Sequence, residues 1–174
     1  MLENICVECG MCCDGTMFGY AELNDGDDAA ALTTAGLRIV GNGEQSGFQL
    51  PCPRLVSCAC TMYVDRPSPC RAYKCALLLH HESGEVSTAA AREIIVRTME
   101  LRDRVLPALQ AFVGWPVPVP FSGLQAMMAH DLDGGCDGGR DGDPAAELVA
   151  DVAAVRLLLA DHFDLVKPVA AVTP

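Results

Sequence analysis

Nine of the ten cysteines fall within the first 75 residues, at positions 6, 9, 12, 13, 52, 58, 60, 70 and 75, and only Cys136 stands apart. A chain of 174 residues can bury enough apolar surface to fold without crosslinks. Thiols this dense therefore need a chemical explanation rather than a shortage of core. The first residues, Met1-Leu2-Glu3-Asn4-Ile5-Cys6, offer neither a basic nor an apolar leader region, which predicts a cytoplasmic protein with reduced thiols. In that compartment, metal ligation is expected before disulfide formation.

The spacing supports ligation. Cys6-Val7-Glu8-Cys9-Gly10-Met11-Cys12-Cys13 places three thiols at i, i+3 and i+6, and they converge if the backbone turns around an ion. Gly10 and Gly15 supply the freedom for that bend. Cys12 and Cys13 are neighbours and point in different directions. Two metal centres, or a bridging thiolate, are then more natural than four equivalent ligands on one ion. Farther on, Cys52-Pro53, Cys60 and Cys70-x4-Cys75 form a second group, crowded by Arg54, Arg66, Arg71 and Lys74, whose charge favours thiolates. Read by proximity in the chain, Cys52, Cys60, Cys70 and Cys75 make one set and the first group the other. Eight thiols exceed one tetrahedral shell, which favours two sites.

The remaining sequence reads as helical scaffold. Asp28 precedes a short Ala-rich helix ended by Gly36, and 37–40 and 47–50 flank Gly41-Asn42-Gly43 as a small hairpin. His80 follows Cys75 on a helix. Ser87 caps a helix whose apolar positions are Ile94, Ile95, Thr98, Met99, Leu101, Val105 and Leu106, with Pro107 expected to end or kink it. Residues 115–120 alternate proline with apolar side chains as a stiff spacer, and 121–129 suit another short helix. The Asp- and Gly-rich stretch 131–143 lacks the register of an EF-hand loop and reads as a solvated connection. The last helix has Asp143 as cap, Pro144 at its first position and a stripe of Leu148, Val152, Val155, Leu159 and Phe163, with Pro168 beyond its end.

In combination, the motifs Cys6-x2-Cys9-x2-Cys12-Cys13, Cys52-Pro53, Cys60 with Tyr63, and Arg66-Pro67-Ser68-Pro69-Cys70-Arg71-Ala72-Tyr73-Lys74-Cys75 resemble the YkgJ-family cysteine cluster proteins. These are small bacterial proteins described as a zinc- or iron-chelating domain. The resemblance covers roughly residues 1–105. It implies metal binding through Cys6, Cys9, Cys12, Cys13, Cys52, Cys60, Cys70 and Cys75, and leaves Cys58 and Cys136 outside the signature. A related branch, flagellin lysine N-methylase, implies that some relatives hold an iron–sulfur cluster and modify a protein lysine.

Other classes recede. A formal charge of −11 opposes a phosphate-binding surface, and no apolar run is long enough to cross a bilayer, the longest candidate being 75–79 before His80-His81. No P-loop, dinucleotide fingerprint or nucleophile elbow is present. His80, His81, His130 and His162 do not stand in a two-His, one-carboxylate spacing, so no reaction is assigned. Thiolate tetrads suit zinc and iron–sulfur clusters alike. The ferredoxin likeness of Cys6-x2-Cys9-x2-Cys12 is partial, because 38 residues separate Cys13 from the Cys-Pro pair at Cys52.

The expectation is a mainly α chain whose irregular, metal-stapled N-terminal half carries a small hairpin and packs on a few C-terminal helices. It divides into a cysteine-cluster metal-binding domain (1–113), a connecting region (114–143) and a C-terminal helix and tail (144–174). The expected role is binding zinc or iron, including an iron–sulfur cluster, in one or two centres. Two other roles stay open: a metal-dependent enzyme acting on a protein or peptide side chain, and an acidic protein-interaction module with structural zinc.

Overall fold

A computed structural model describes residues 5–41, 46–114, 119–133 and 144–163. Part of the Gly41-Asn42-Gly43 turn, residues 115–118 of the spacer, the Asp/Gly-rich stretch from 134, Cys136, the Asp143 cap and Pro168 lie outside them. The order is α1 (Cys6–Cys9), β1 (Tyr20–Glu22), α2 (Ala29–Thr34), β2 (Ile39–Val40), β3 (Gly47–Gln49), β4 (Leu55–Val56), β5 (Ala59–Cys60), α3 (Ser68–Ala72), α4 (Ala76–Glu82), α5 (Thr88–Val113), α6 (Phe121–Asp133) and α7 (Pro144–Phe163). The chain is mainly α with short antiparallel ladders, as the sequence predicts.

The scaffold is organised by α5. Ser87 Oγ accepts from the Ala90 N–H at 3.2 Å to start it, and Gly114 closes it with φ 69°. Its buried positions are Ala91, Ile95, Thr98, Arg102, Val105 and Leu109, a strict alternation of three- and four-residue steps. The helix continues past Pro107, where the sequence predicts an end or kink, so the proline does not end it. Val105 and Leu109 lie buried on either side of that proline against α6 and α7, and their packing offsets the hydrogen bond it removes. Here Phe121, Leu124 and Met128 of α6 and Leu148, Val152 and Val155 of α7 complete an apolar three-helix core.

A second core joins the two halves. Ile5 and Met11, on either side of α1, pack with Leu77 of α4, Ala91 and Ile95 of α5 and Phe163 at the end of α7, with Cys9 and Cys75 against them. A third core lies under the sheet, where Leu32, Leu37, Phe48 and Leu50 pack with Cys52 and Cys70.

In that sheet β3 is central, in the order β1-β3-β2, with Ala21 and Ile39 both opposite Phe48. The predicted pairing of β2 with β3 is present. Strand β1 adds a partner that three residues, Tyr20-Ala21-Glu22, are too short to announce by alternation. The β4–β5 hairpin is also new: Leu55 faces Cys60 and Val56 faces Ala59 across a two-residue turn of Ser57 (φ 48°) and Cys58 (φ 66°). Both residues take left-handed conformations usually filled by Gly or Asn.

Candidate metal centre

Cysteines reach the centre from five pieces of chain. α1 supplies Cys6 and Cys9, and the turn after it supplies Cys12 and Cys13. Cys52 follows β3, Cys60 ends β5, Cys70 lies in α3 and Cys75 is the N-cap residue of α4. Gly10 turns the chain after α1 with φ 67°, and a Cβ there would come within 3.2 Å of Cys58 Cα. Only glycine meets both demands. At Gly15, φ is 84° and a Cβ would come within 2.4 Å of Pro120 Cβ, so the loop after Cys13 presses directly on the approach to α6.

Polar ties fix this loop to the helices. Asp14 pairs with Arg102 of α5, whose guanidinium also donates to Thr16 Oγ1 at 2.6 Å and to Asp103. The Thr16 N–H donates to Asp14 Oδ1 at 2.8 Å, and the Ser122 N–H and hydroxyl both donate to the Gly15 carbonyl, at 3.1 and 2.7 Å. At the other end, Glu8 takes a two-pronged contact from Arg92, 2.7 Å at each oxygen. On the sheet side, Asp27 accepts from the Ser68 N–H at 2.9 Å and its hydroxyl at 2.8 Å, anchoring the start of α3 two residues before Cys70. The Cys52 N–H donates to the Cys13 carbonyl at 2.7 Å, joining the first cysteine run to the second.

The thiols divide into two sets that cut across their order in the chain. Burial pushes Cys6 up to about 11 and Cys9 up to about 12, and the negative charge of a Cys75 thiolate adds to both. Cys12 is raised well above the ordinary range by burial and then by Cys9, Cys75, Cys13 and Cys6. Burial pushes Cys13 up to about 12, with Cys52, Cys70 and Cys60 adding to it. Burial pushes Cys70 up to about 11, with Cys52 and Cys60 adding to it. Cys52 is raised by burial against the N–H groups of Arg54 and Leu55 and the charge of Arg54, with Cys60 adding to the rise. Burial likewise raises Cys75, although the N–H groups opening α4 hold it back without a formed cap hydrogen bond.

Packing repeats the division. Cys9 and Cys75 lie against the core shared with α5, whereas Cys52 and Cys70 lie against the core under the sheet. The first set is thus Cys6, Cys9, Cys12 and Cys75, and the second is Cys13, Cys52, Cys60 and Cys70. Grouping by chain proximity puts Cys13 and Cys75 in the opposite sets. The structure exchanges them because the peptide between Cys12 and Cys13 straddles the two groups, and because α3 lies over the sheet while α4 turns back toward α1.

All nine described cysteines are free thiols. Among the described residues, no three His, Cys, Asp or Glu side chains already stand at metal-ligating separations. The donor chemistry nevertheless fits a thiophilic ion: two sets of four thiols. His80 belongs to neither set, since its Nδ1 lies 2.5 Å from Glu85 Oε2 on an exposed face. His81 is buried, with Nδ1 3.1 Å from the Val86 carbonyl oxygen. Cys58 occupies its tight turn against Gly10.

Sequence reasoning missed Arg102 and its partner Asp14. The available signal was a charged residue falling on the apolar stripe of α5. No protein-family model matches this chain, nor does any curated protein or solved structure.

Proposed function

We propose that this chain is a metal-binding protein holding zinc or iron in two thiolate centres, one made by Cys6, Cys9, Cys12 and Cys75 and the other by Cys13, Cys52, Cys60 and Cys70. The supporting observation is the convergence of eight free thiols from five chain segments into two groups of four. Burial raises Cys6, Cys9, Cys12, Cys13, Cys52, Cys70 and Cys75 above the ordinary thiol range, so an ion that loads must displace protons from them. The motif resemblance to the YkgJ-family cysteine cluster proteins points the same way. A reducing cytoplasm is the compartment in which free thiols at this density persist.

Anaerobic purification followed by metal and sulfide analysis tests the reading. About two equivalents of zinc or iron are expected, two tetrahedral shells of thiolate. Less than half an equivalent of any metal ends it. Iron with matching sulfide selects iron–sulfur clusters, while a colourless sample holding only zinc rules them out.

Paired substitutions test the division of ligands. The double variant Cys6→Ser/Cys75→Ser is expected to lose one equivalent, because both changes strike one centre. The double variant Cys70→Ser/Cys75→Ser should lose both. The opposite result restores the grouping by chain proximity.

A further inference from the structure

One of the cysteines touches a sulfur that is not a thiol. Cys12 Sγ donates to the thioether Sδ of Met17 at 3.8 Å, in a half-buried contact. As a hydrogen bond this is feeble, because a thiol is a poor donor and a thioether a poor acceptor. As a ligand separation it is apt: two sulfurs on one tetrahedral ion, each bonded at about 2.3 Å, stand about 3.8 Å apart.

Met17 is held in place from several sides. Its N–H donates to the Met11 carbonyl at 3.1 Å, folding the chain back over the turn that bears Cys12. The preceding residue, Thr16, is tied through its N–H to Asp14 and through its hydroxyl to Arg102 of α5. The Met17 side chain packs against the core of Ile5, Met11, Leu77 and Phe163, where Cys9 and Cys75 also lie. Contact and packing thus gather the sulfurs of Cys9, Cys12, Met17 and Cys75. Cys6, the remaining thiol of the first set, is exposed.

A thioether is a soft, neutral donor, and among the ions that thiolates accept it favours copper(I). Charge points the same way. Three thiolates and a thioether around a monovalent ion carry about −2, the charge that four thiolates carry around zinc.

Resting on the two-centre reading above, we propose that Met17 is a further metal ligand of the first centre, its thioether standing in for the Cys6 thiolate when the ion is copper(I). Cys9, Cys12 and Cys75 each give a proton to solvent as the ion loads, Met17 gives none, and copper stays monovalent throughout. Zinc, which is held by anionic sulfur, uses Cys6 instead.

The test titrates the full chain, anaerobically, with copper(I) and separately with zinc, each against a chromogenic chelator, and resolves the first and second equivalents. Met17→Leu keeps the apolar bulk and removes the sulfur. It is expected to weaken one equivalent of copper(I) by more than about 100-fold, the upper end of what losing an outer-shell partner costs, and to leave zinc at wild-type affinity. Cys6→Ser should do the reverse, weakening one equivalent of zinc and sparing copper(I). In selenomethionine protein loaded with copper(I), X-ray absorption at the selenium edge should show a copper neighbour that Met17→Leu removes.

Wild-type copper(I) affinity in Met17→Leu, or equal weakening of copper(I) and zinc, would overturn the proposal and leave Met17 as packing alone. So would a selenium edge without a copper neighbour, a result that needs no variant and stands even if Met17→Leu misfolds. A wild-type chain that takes up neither metal defeats the two-centre reading instead, and shows itself before any variant is compared.

Discussion

The two halves of this molecule solve the problem of staying folded in different ways. Around α5, α6 and α7, long helices bury Leu109, Leu124 and Val155 completely, and the core contains only apolar side chains. Around the cysteines, the elements run from two to seven residues, and much of what converges is sulfur. Helices of four and five residues, such as α1 and α3, are too short to persist alone. What holds them is a small sheet, a few charged ties to α5 and, in the two-centre reading, metal. The helical half stores its stability in area removed from water, and in that reading the cysteine half stores part of its own in bonds that a metal completes.

The largest effect that would break this contrast is metal removal. A strong chelator is expected to abolish amide-exchange protection across residues 5–75 while α5 and the buried face of α7 keep theirs. Uniform loss of protection would show that the halves are not separable, and unchanged protection would show that the cysteine half stands without metal.

Next in size is a cavity in the helical core. Leu109→Ala should lower stability by about 2–5 kcal/mol in denaturant unfolding, yet leave metal stoichiometry untouched.

A change at the seam should register on both sides. Arg102 is buried at 8 % exposure and holds Asp14, so Arg102→Met leaves that carboxylate without its cation. The expected cost is roughly 2–3 kcal/mol, below the usual range for breaking a buried pair because Asp14 keeps a quarter of its side-chain surface. Metal release should also quicken, since Asp14 adjoins Cys13.

Alkali separates the loaded and metal-free states. Folding raises Cys6 and Cys70 to about 11 and Cys9 and Cys13 to about 12, from an ordinary value of 9.0. In the metal-free chain the stability linked to these groups is present below pH 9.0 and is lost as pH rises through 11 and 12. Melting temperature against pH should therefore fall on the alkaline side for metal-free protein, and much less for loaded protein, whose thiols have already given up their protons.

The smallest expected effect is at Cys58. Cys58→Gly relieves a left-handed residue and should leave stability in denaturant unfolding unchanged or raised by about 1 kcal/mol, with full metal content. Loss of metal in that variant would make Cys58 a ligand after all.

Much of the helical half was readable in the chain because its signals are local. Ser87 caps the helix it precedes, and Leu148, Val152 and Val155 repeat at helical spacing. The cysteine half was readable in its chemistry but not in its arrangement. Ser57-Cys58 carries none of the usual turn chemistry, so the β4–β5 hairpin had no marker. The assignment of Cys13 and Cys75 depended on which way α3 and α4 leave their shared stretch, a tertiary fact that spacing does not hold. Arg102 was hidden for the opposite reason: its neighbours on α5 obey the apolar pattern so well that a cation on that face reads as an interruption.

Arg92 and Arg102 grip the segment bearing Cys9, Cys12 and Cys13 from points ten residues apart on one helix, about 15 Å along its axis. One residue inserted between them would swing Arg102 about 100° around that axis and away from Asp14. The phase of a helix that contributes no sulfur is therefore part of the specification of the cysteine site. Related chains would be expected to tolerate deletions in their connecting loops far more readily than a single-residue change of length in α5.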